Sequence, residues 1–275
     1  MPVTLKNPLV LVGAGKMGGA LLAGWLKSGV SPTQIIVRDP TPAPETAQLI
    51  AREGIALNFS VDEIAARAPE VVVLAVKPQL FANVLPELKP LASSSPLFLS
   101  IAAGIGLAKI EDLIGADIAA VRAMPNTPAS VGRGMSAAFA NARTSSAQRA
   151  LAGELLAAVG ETGWVEDEAL IDAVTAISGS GPAYIFYLVE CLAGAGERLG
   201  LPPELALKLA RETVSGAGEM LHQLDETPAQ LRKNVTSPGG TTAAALDVLM
   251  GENGLMQVMQ RATAAARDRA RELGK

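Results

Sequence analysis

Two glycine-rich segments carry the residue types in this chain best suited to chemistry, and each is built to hold an anion. In the first, Leu9-Val10-Leu11-Val12 runs into Gly13-Ala14-Gly15-Lys16-Met17-Gly18, followed by a helical pattern over Met17–Ser28. A G-x-G-x-x-G run is informative when a strand precedes it and a helix follows. Gly13 permits the tight turn, Gly15 lets the main chain approach a pyrophosphate, and Gly18 lets the helix pack on the strand. The free N–H groups of the first helical turn then face the phosphates. The alternative is a purely structural turn. About 20 residues further on, where a dinucleotide's adenine ribose is usually gripped, stands Arg38-Asp39. An acid there suits the ribose hydroxyls of NAD and an arginine the 2′-phosphate of NADP. Having both leaves the preference open, with a slight lean to NADP.

The second segment is Ser237-Pro238-Gly239-Gly240-Thr241-Thr242, ahead of a helical pattern over Thr241–Met250. Two glycines allow successive N–H groups to converge, and the helix behind them offers its positive end, which suits a small carboxylate. That end contributes about 0.3–1 kcal/mol when exposed and up to ~2 kcal/mol when partly buried, so orientation outweighs affinity. A plain N-cap by Ser or Thr is the competing reading.

Stepping outward, the elements that must position these turns differ between the two halves. Strand candidates are Leu9–Val12, Ile35–Arg38, Val71–Val76, Leu97–Ala102, Ile118–Met124, Met135–Ala140 and Gly163–Val165, separated by helical patterns that include Glu45–Glu53, Gln79–Leu88 and Ser145–Val159. Continuously apolar strands alternating with helices predict an open, doubly wound α/β sheet over residues 1–165. Ligands of such sheets sit outside the carboxyl ends of the strands. There this chain places Ala75-Val76-Lys77-Pro78, Ser100–Gly104 and Met124-Pro125-Asn126. Lys77 and Asn126 read equally well as cofactor contacts or loop caps.

From residue 166 to 275 the β signal disappears, and Leu170–Ile177, Pro182–Leu199, Pro203–Leu224, Pro228–Asn234 and Leu255–Leu273 read as helices. Small residues such as Gly194, Gly196, Gly216 and Gly218 imply close helix packing, within one subunit or between two. The hydroxyls of Ser178 and Ser180 suit either a cap on the helix that follows or the lining of a substrate cavity, and the cap is expected. Cys191, the single cysteine, reads as a small buried hydrophobe in a reducing compartment.

Composition narrows the class. With 275 residues, 49% hydrophobic and 18% charged, and a net charge of −4, the chain reads as globular. Its scattered Lys and Arg exclude nucleic acid or an anionic membrane as the main partner. No apolar run reaches the roughly 18 residues of a membrane helix, no signal-peptide pattern frames Pro8–Leu26, and a cytoplasmic protein is expected. No His/Cys/Asp/Glu grouping has metal spacing, so no metal is expected. The one histidine, His222, reads as a surface or packing residue.

Taken in order, Gly13–Gly18, Ala75–Pro78, Met124–Pro128, Ser178-Gly179-Ser180-Gly181-Pro182-Ala183-Tyr184 and Ser237–Thr242 resemble the motifs of the pyrroline-5-carboxylate reductase family over nearly the whole chain. The resemblance implies a Rossmann domain followed by an all-helical domain, arranged as in 6-phosphogluconate dehydrogenase. It also implies reduction of L-1-pyrroline-5-carboxylate to L-proline with NADPH or NADH. The helical domain would bind substrate and form a homodimer, with dimers building a larger ring such as a decamer. Position by position, Thr242 would meet the ring nitrogen, while Ser237, Gly240 and Thr241 would hold the carboxylate. Asn234 would lie between cofactor and substrate, and Glu168 at the substrate site. Ala75, Val76, Lys77, Ala103 and the glycine turn would touch the cofactor. A β-hydroxyacid or 6-phosphogluconate-type dehydrogenase is the runner-up, but it needs a helix-borne lysine, and Lys208 and Lys233 lie in no matching motif. A non-catalytic dinucleotide-binding regulator would have no use for Ser237–Thr242.

Overall fold

The computed structural model describes residues 3–274. The elements run β1 (Leu9–Val12), α1 (Lys16–Lys27), β2 (Ile35–Arg38), α2 (Pro44–Glu53), β3 (Ala56–Leu57), α3 (Val61–Ala65), β4 (Val71–Leu74), α4 (Phe81–Val84), β5 (Leu97–Ser100), α5 (Leu107–Ile114), β6 (Ala119–Met124), β7 (Gly134–Ala140), α6 (Ser146–Ala157) and β8 (Gly160–Trp164). Helices alone follow: α7 (Leu170–Val174), α8 (Gly181–Arg198), α9 (Pro203–Gln223), α10 (Pro228–Asn234), α11 (Thr241–Leu249) and α12 (Leu255–Leu273).

One sheet takes all eight strands in the order β3-β2-β1-β4-β5-β6-β7-β8. Its pairs are parallel except β6 with β7. Chain order reverses at β1, which lies between β2 and β4. That switch point is where open α/β sheets take ligands, and the glycine turn leaves β1 there.

Period-2 alternation feeds a core on each face of the sheet. Leu9 and Leu11 point to the side covered by Leu21, Leu22 and Trp25 of α1 and Leu151 and Leu155 of α6. Val10 and Val12 point to the side filled by Phe81, Leu85, Leu88 and Ile110. Each such fully buried side chain contributes about 1.5–3 kcal/mol. Trp25 also donates its Nε1–H to the Leu155 carbonyl, 2.9 Å away, tying α1 to α6.

By packing, the chain divides into two compact units: one reaching to Gly179 and resuming at Ala266, the other Ser180–Ala265. In the second, α8 and α9 pair, with Gly196 of α8 against α9: a Cβ on it would lie 3.1 Å from Cβ of Ala206, while Gly194, Gly216 and Gly218 face open space.

Several expectations need correction. Gln79–Leu88 is not one helix: Pro86 and Pro90 each lack an N–H, and the segment breaks into 3-10, α and 3-10 pieces. The strand β3 was not expected, because two residues show no period; it forms by pairing with Ile36 and Val37. β8 begins at Gly160, three residues before its apolar signal, since Gly160–Thr162 pair with Gly134–Ser136. The segment Leu170–Ile177 passes from an α-turn into a π-turn over Thr175–Gly179. No side chain caps α8 at Ser180; the Ser178 hydroxyl accepts a hydrogen bond from Asn126 instead. Cys191 is exposed, not buried as its apolar surroundings in the sequence imply.

Candidate functional site

The glycine turn has the geometry its spacing implies. Gly13 has φ +98°, and a Cβ on it would lie 2.6 Å from the Ala75 carbonyl carbon and 2.7 Å from Val76 N. A side chain there is therefore excluded twice, by backbone conformation and by space. Gly18 packs against the Gly13 carbonyl and the Ala75 methyl, which brings α1 onto the turn. In front of Gly15 nothing lies within 4 Å of a Cβ position. α1 starts at Lys16 with no side-chain cap and no acid in its first turn, so the N–H groups of Lys16, Met17 and Gly18 meet no competing carboxylate. An open approach, an uncapped helix start and a glycine-only contact with β4's exit together fit a pyrophosphate.

At the end of β2 the two charged neighbours diverge. The Asp39 carboxylate turns inward and accepts N–H bonds from Ala14 (2.6 Å) and Thr41 (2.8 Å). Arg38 reaches the other way, to Glu87 at 2.6 Å and the Phe59 carbonyl at 3.1 Å. Asn58, at φ +57°, braces Asp39 from both sides, accepting its N–H and donating to its carbonyl. Neither Glu87 nor Asn58 stood out as part of this group in the sequence. Asn58 directly follows the two-residue β3, and asparagine's tolerance of positive φ was the only available hint.

The remaining strand-end residues lie at the carboxyl edge of the same sheet. Ala75 and Val76 are half-buried against the glycine turn. Lys77 is exposed and precedes the 3-10 turn that Pro78 opens. Ala103 is exposed on the loop after β5, and at the end of β6 Met124 is half-buried and Pro125 buried. Asn126 staples the loop: its amide donates to the Ser178 carbonyl and hydroxyl, and its oxygen accepts the Met135 N–H at 2.9 Å.

Ser237–Thr242 belongs to the other compact unit. Gly239 has φ +71°, and Ser237 folds back so that its carbonyl accepts the Gly240 N–H at 3.1 Å. Gly240 is the N-cap of α11, a nine-residue helix with no side-chain cap and no acid in its first turn. The competing reading, a Ser or Thr side-chain cap, does not form, so the helix start presents main-chain donors only. Thr241 is exposed and Thr242 half-buried. On α10, the Asn234 amide is engaged by Gln230 (2.7 Å) and Glu226 (3.0 Å). Glu168, in the first unit, faces Arg122 and the Leu107 N–H. Arg122 was also missed, although it is the one charged residue in an otherwise apolar strand. Among the described residues no group of three His, Cys, Asp or Glu could hold a metal ion, and no helix is long and apolar enough to cross a membrane.

An open, mainly parallel sheet with this turn at its switch point defines a dinucleotide-binding protein. Residues 8–104 match the profile described as NADP oxidoreductase coenzyme F420-dependent, and residues 168–273 match pyrroline-5-carboxylate reductase dimerisation. A pyrroline-5-carboxylate reductase from Pseudomonas aeruginosa is 44% identical over 265 residues, covering 96% of each chain. Among solved structures, one from Coxiella burnetii superposes with a TM-score of 0.91 at 38% identity, covering 98% of this chain and 100% of its own. Another, from Plasmodium falciparum with NADP bound, has a TM-score of 0.81 at 31% identity, covering 98% and 99%. This chain belongs to the pyrroline-5-carboxylate reductase family.

Proposed function

We propose that the chain reduces L-1-pyrroline-5-carboxylate to L-proline, the last step of proline biosynthesis, using NADPH or NADH in the cytoplasm. The observation that carries the reading is the pairing, in one chain matched end to end by such reductases, of two uncapped helix starts made accessible by glycines. One suits a pyrophosphate and the other a small carboxylate.

The bound dinucleotide supplies the hydride. The chain's part is to hold and orient. Gly13–Gly18 offer main-chain donors to the pyrophosphate, Arg38 and Asp39 border the adenosine end, and Ala75–Pro78, Ala103 and Met124–Asn126 line the sheet edge. The Ser237–Thr241 loop, with the Thr241 N–H at the start of α11, holds the substrate carboxylate, and the Thr242 hydroxyl meets the ring nitrogen. Asn234 stands by as a further contact. A protonated iminium is already electrophilic, so no strong general acid is required. That matches a site whose residues are amides and hydroxyls. Most of the acceleration is positioning.

The helical unit also supplies the dimer contact. Phe186, Tyr187 and Leu188 on α8, and Val248 and Met250 by α11, are exposed in the isolated chain. A second copy covers them, and dimers assemble into a larger ring.

Adding the synthetic cyclic imine to enzyme and reduced dinucleotide should give oxidised dinucleotide and proline. Thr242→Ala should slow turnover by about 10- to 100-fold with dinucleotide affinity intact. Unchanged turnover in that variant, or no proline from the wild type, refutes the assignment.

A further inference from the structure

β6 is apolar except for Arg122, whose side chain is only 7% exposed. A buried guanidinium needs counter-charges, and two carboxylates supply them. Nη1 lies 3.1 Å from Glu168 Oε1, and Nη2 lies 3.3 Å from Asp172 Oδ1. Asp172 Oδ2 in turn lies 3.9 Å from Arg271 Nε.

Glu168 has a second task. Its Oε1 accepts the N–H of Leu107 at 2.8 Å, from 61 positions away. Leu107 opens α5, whose N-cap is Gly106, a residue with no side chain to offer. The four first N–H groups of a helix lack internal partners, and here a distant carboxylate takes the first of them. A Cβ on Gly106 would lie 3.3 Å from the same oxygen, so the carboxylate rests against the loop itself. That loop, from Ile101 to Gly106, joins β5 to α5 and contains Ala103. Its other support is the end of α12. A Cβ on Gly104, at φ +75°, would lie 3.4 Å from the Leu273 carbonyl carbon, and one on Gly274 would lie 2.7 Å from the Gly104 oxygen.

We propose that Glu168 is a positioning residue: through the Leu107 N–H, with Arg122 orienting its carboxylate, it holds the Ile101–Gly106 loop in the shape that receives the dinucleotide. Substrate contact is not its task. What the loop receives rests on the reductase reading above.

Three variants separate cap from charge. Glu168→Gln keeps an oxygen for Leu107 but loses the charge. Glu168→Asp keeps the charge but stops one methylene short. Glu168→Ala loses both. Dinucleotide Kd is measured by calorimetry without substrate, and imine KM at saturating dinucleotide. Kd should rise about 10-fold in the Asp and Ala variants and stay within about 2-fold of wild type in the Gln variant. Imine KM should stay within about 2-fold throughout. An imine KM that rises with Kd unchanged overturns the proposal, as does a Gln variant as damaged as Ala, or a Kd that never moves. In the wild type, where folding is not in question, dinucleotide should slow amide exchange at residues 103–107 and proline alone should not; the reverse also overturns it. A wild type that binds dinucleotide but makes no proline would remove the reductase reading and leave this test readable.

Discussion

The two compact units solve burial in opposite ways. In the sheet-bearing unit Trp25, Phe81 and Phe98 are each no more than 1% exposed, and apolar side chains fill both faces of the sheet. Over Ser180–Ala265 the buried apolar residues are the alanines Ala193, Ala206 and Ala210, while Phe186 is 63% exposed, Leu199 86% and Val248 76%. A unit whose large apolar residues face outward, and whose inside is methyl groups, does not generate enough hydrophobic stabilisation alone. Its missing core is another copy, so its stability depends on concentration in a way that the sheet unit's does not.

One test of that contrast lies on the outer face of α8. Phe186→Asp should weaken assembly by at least about 30-fold. In ultracentrifugation, smaller species should appear at concentrations where the wild type is fully assembled. An unchanged sedimentation profile would break the comparison. Phe98→Ala, in the sheet core, should cost about 3–5 kcal/mol. Chemical denaturation should show that loss at every protein concentration, with assembly preserved, whereas a concentration-dependent loss would blur the distinction.

The smallest effect is local to the sheet unit. Ser60 caps α3, and its hydroxyl and N–H both donate to Glu63, which holds that carboxyl below its usual range. Because the folded form favours the charged carboxylate, the contribution is full above the ordinary carboxylate pKa and fades as pH falls through the lowered one. Ser60→Ala should move the Glu63 titration up towards its ordinary value, as read by NMR. No movement would mean that the capping box is not what holds it.

The strand–helix alternation, the glycine turn and the helical second half were legible in the sequence because each depends on periods and residue types within a few positions. Much of the site's surroundings was not. Arg38 and Asp39 are neighbours, yet one serves Glu87 and Phe59 and the other Ala14, partners 21 to 49 residues away. The expected hydroxyl cap at Ser180 does not form, because side-chain capping depends on the loop conformation ahead of the helix, which residue type alone does not set. Cys191 faces outward because burial counts the neighbours that fold brings, which an apolar run does not record.

Residue order alone specifies the class of fold, the order of its motifs and the two places where main-chain amides could gather round an anion. Those follow from local backbone freedom and side-chain period. It took the folded arrangement to bring Glu168 to the start of α5, to let Asn126 staple its own loop, and to leave the large apolar faces of the helical unit outside. Each of those depends on which distant segment arrives as neighbour, and hydrogen bonds and buried area are properties of neighbours.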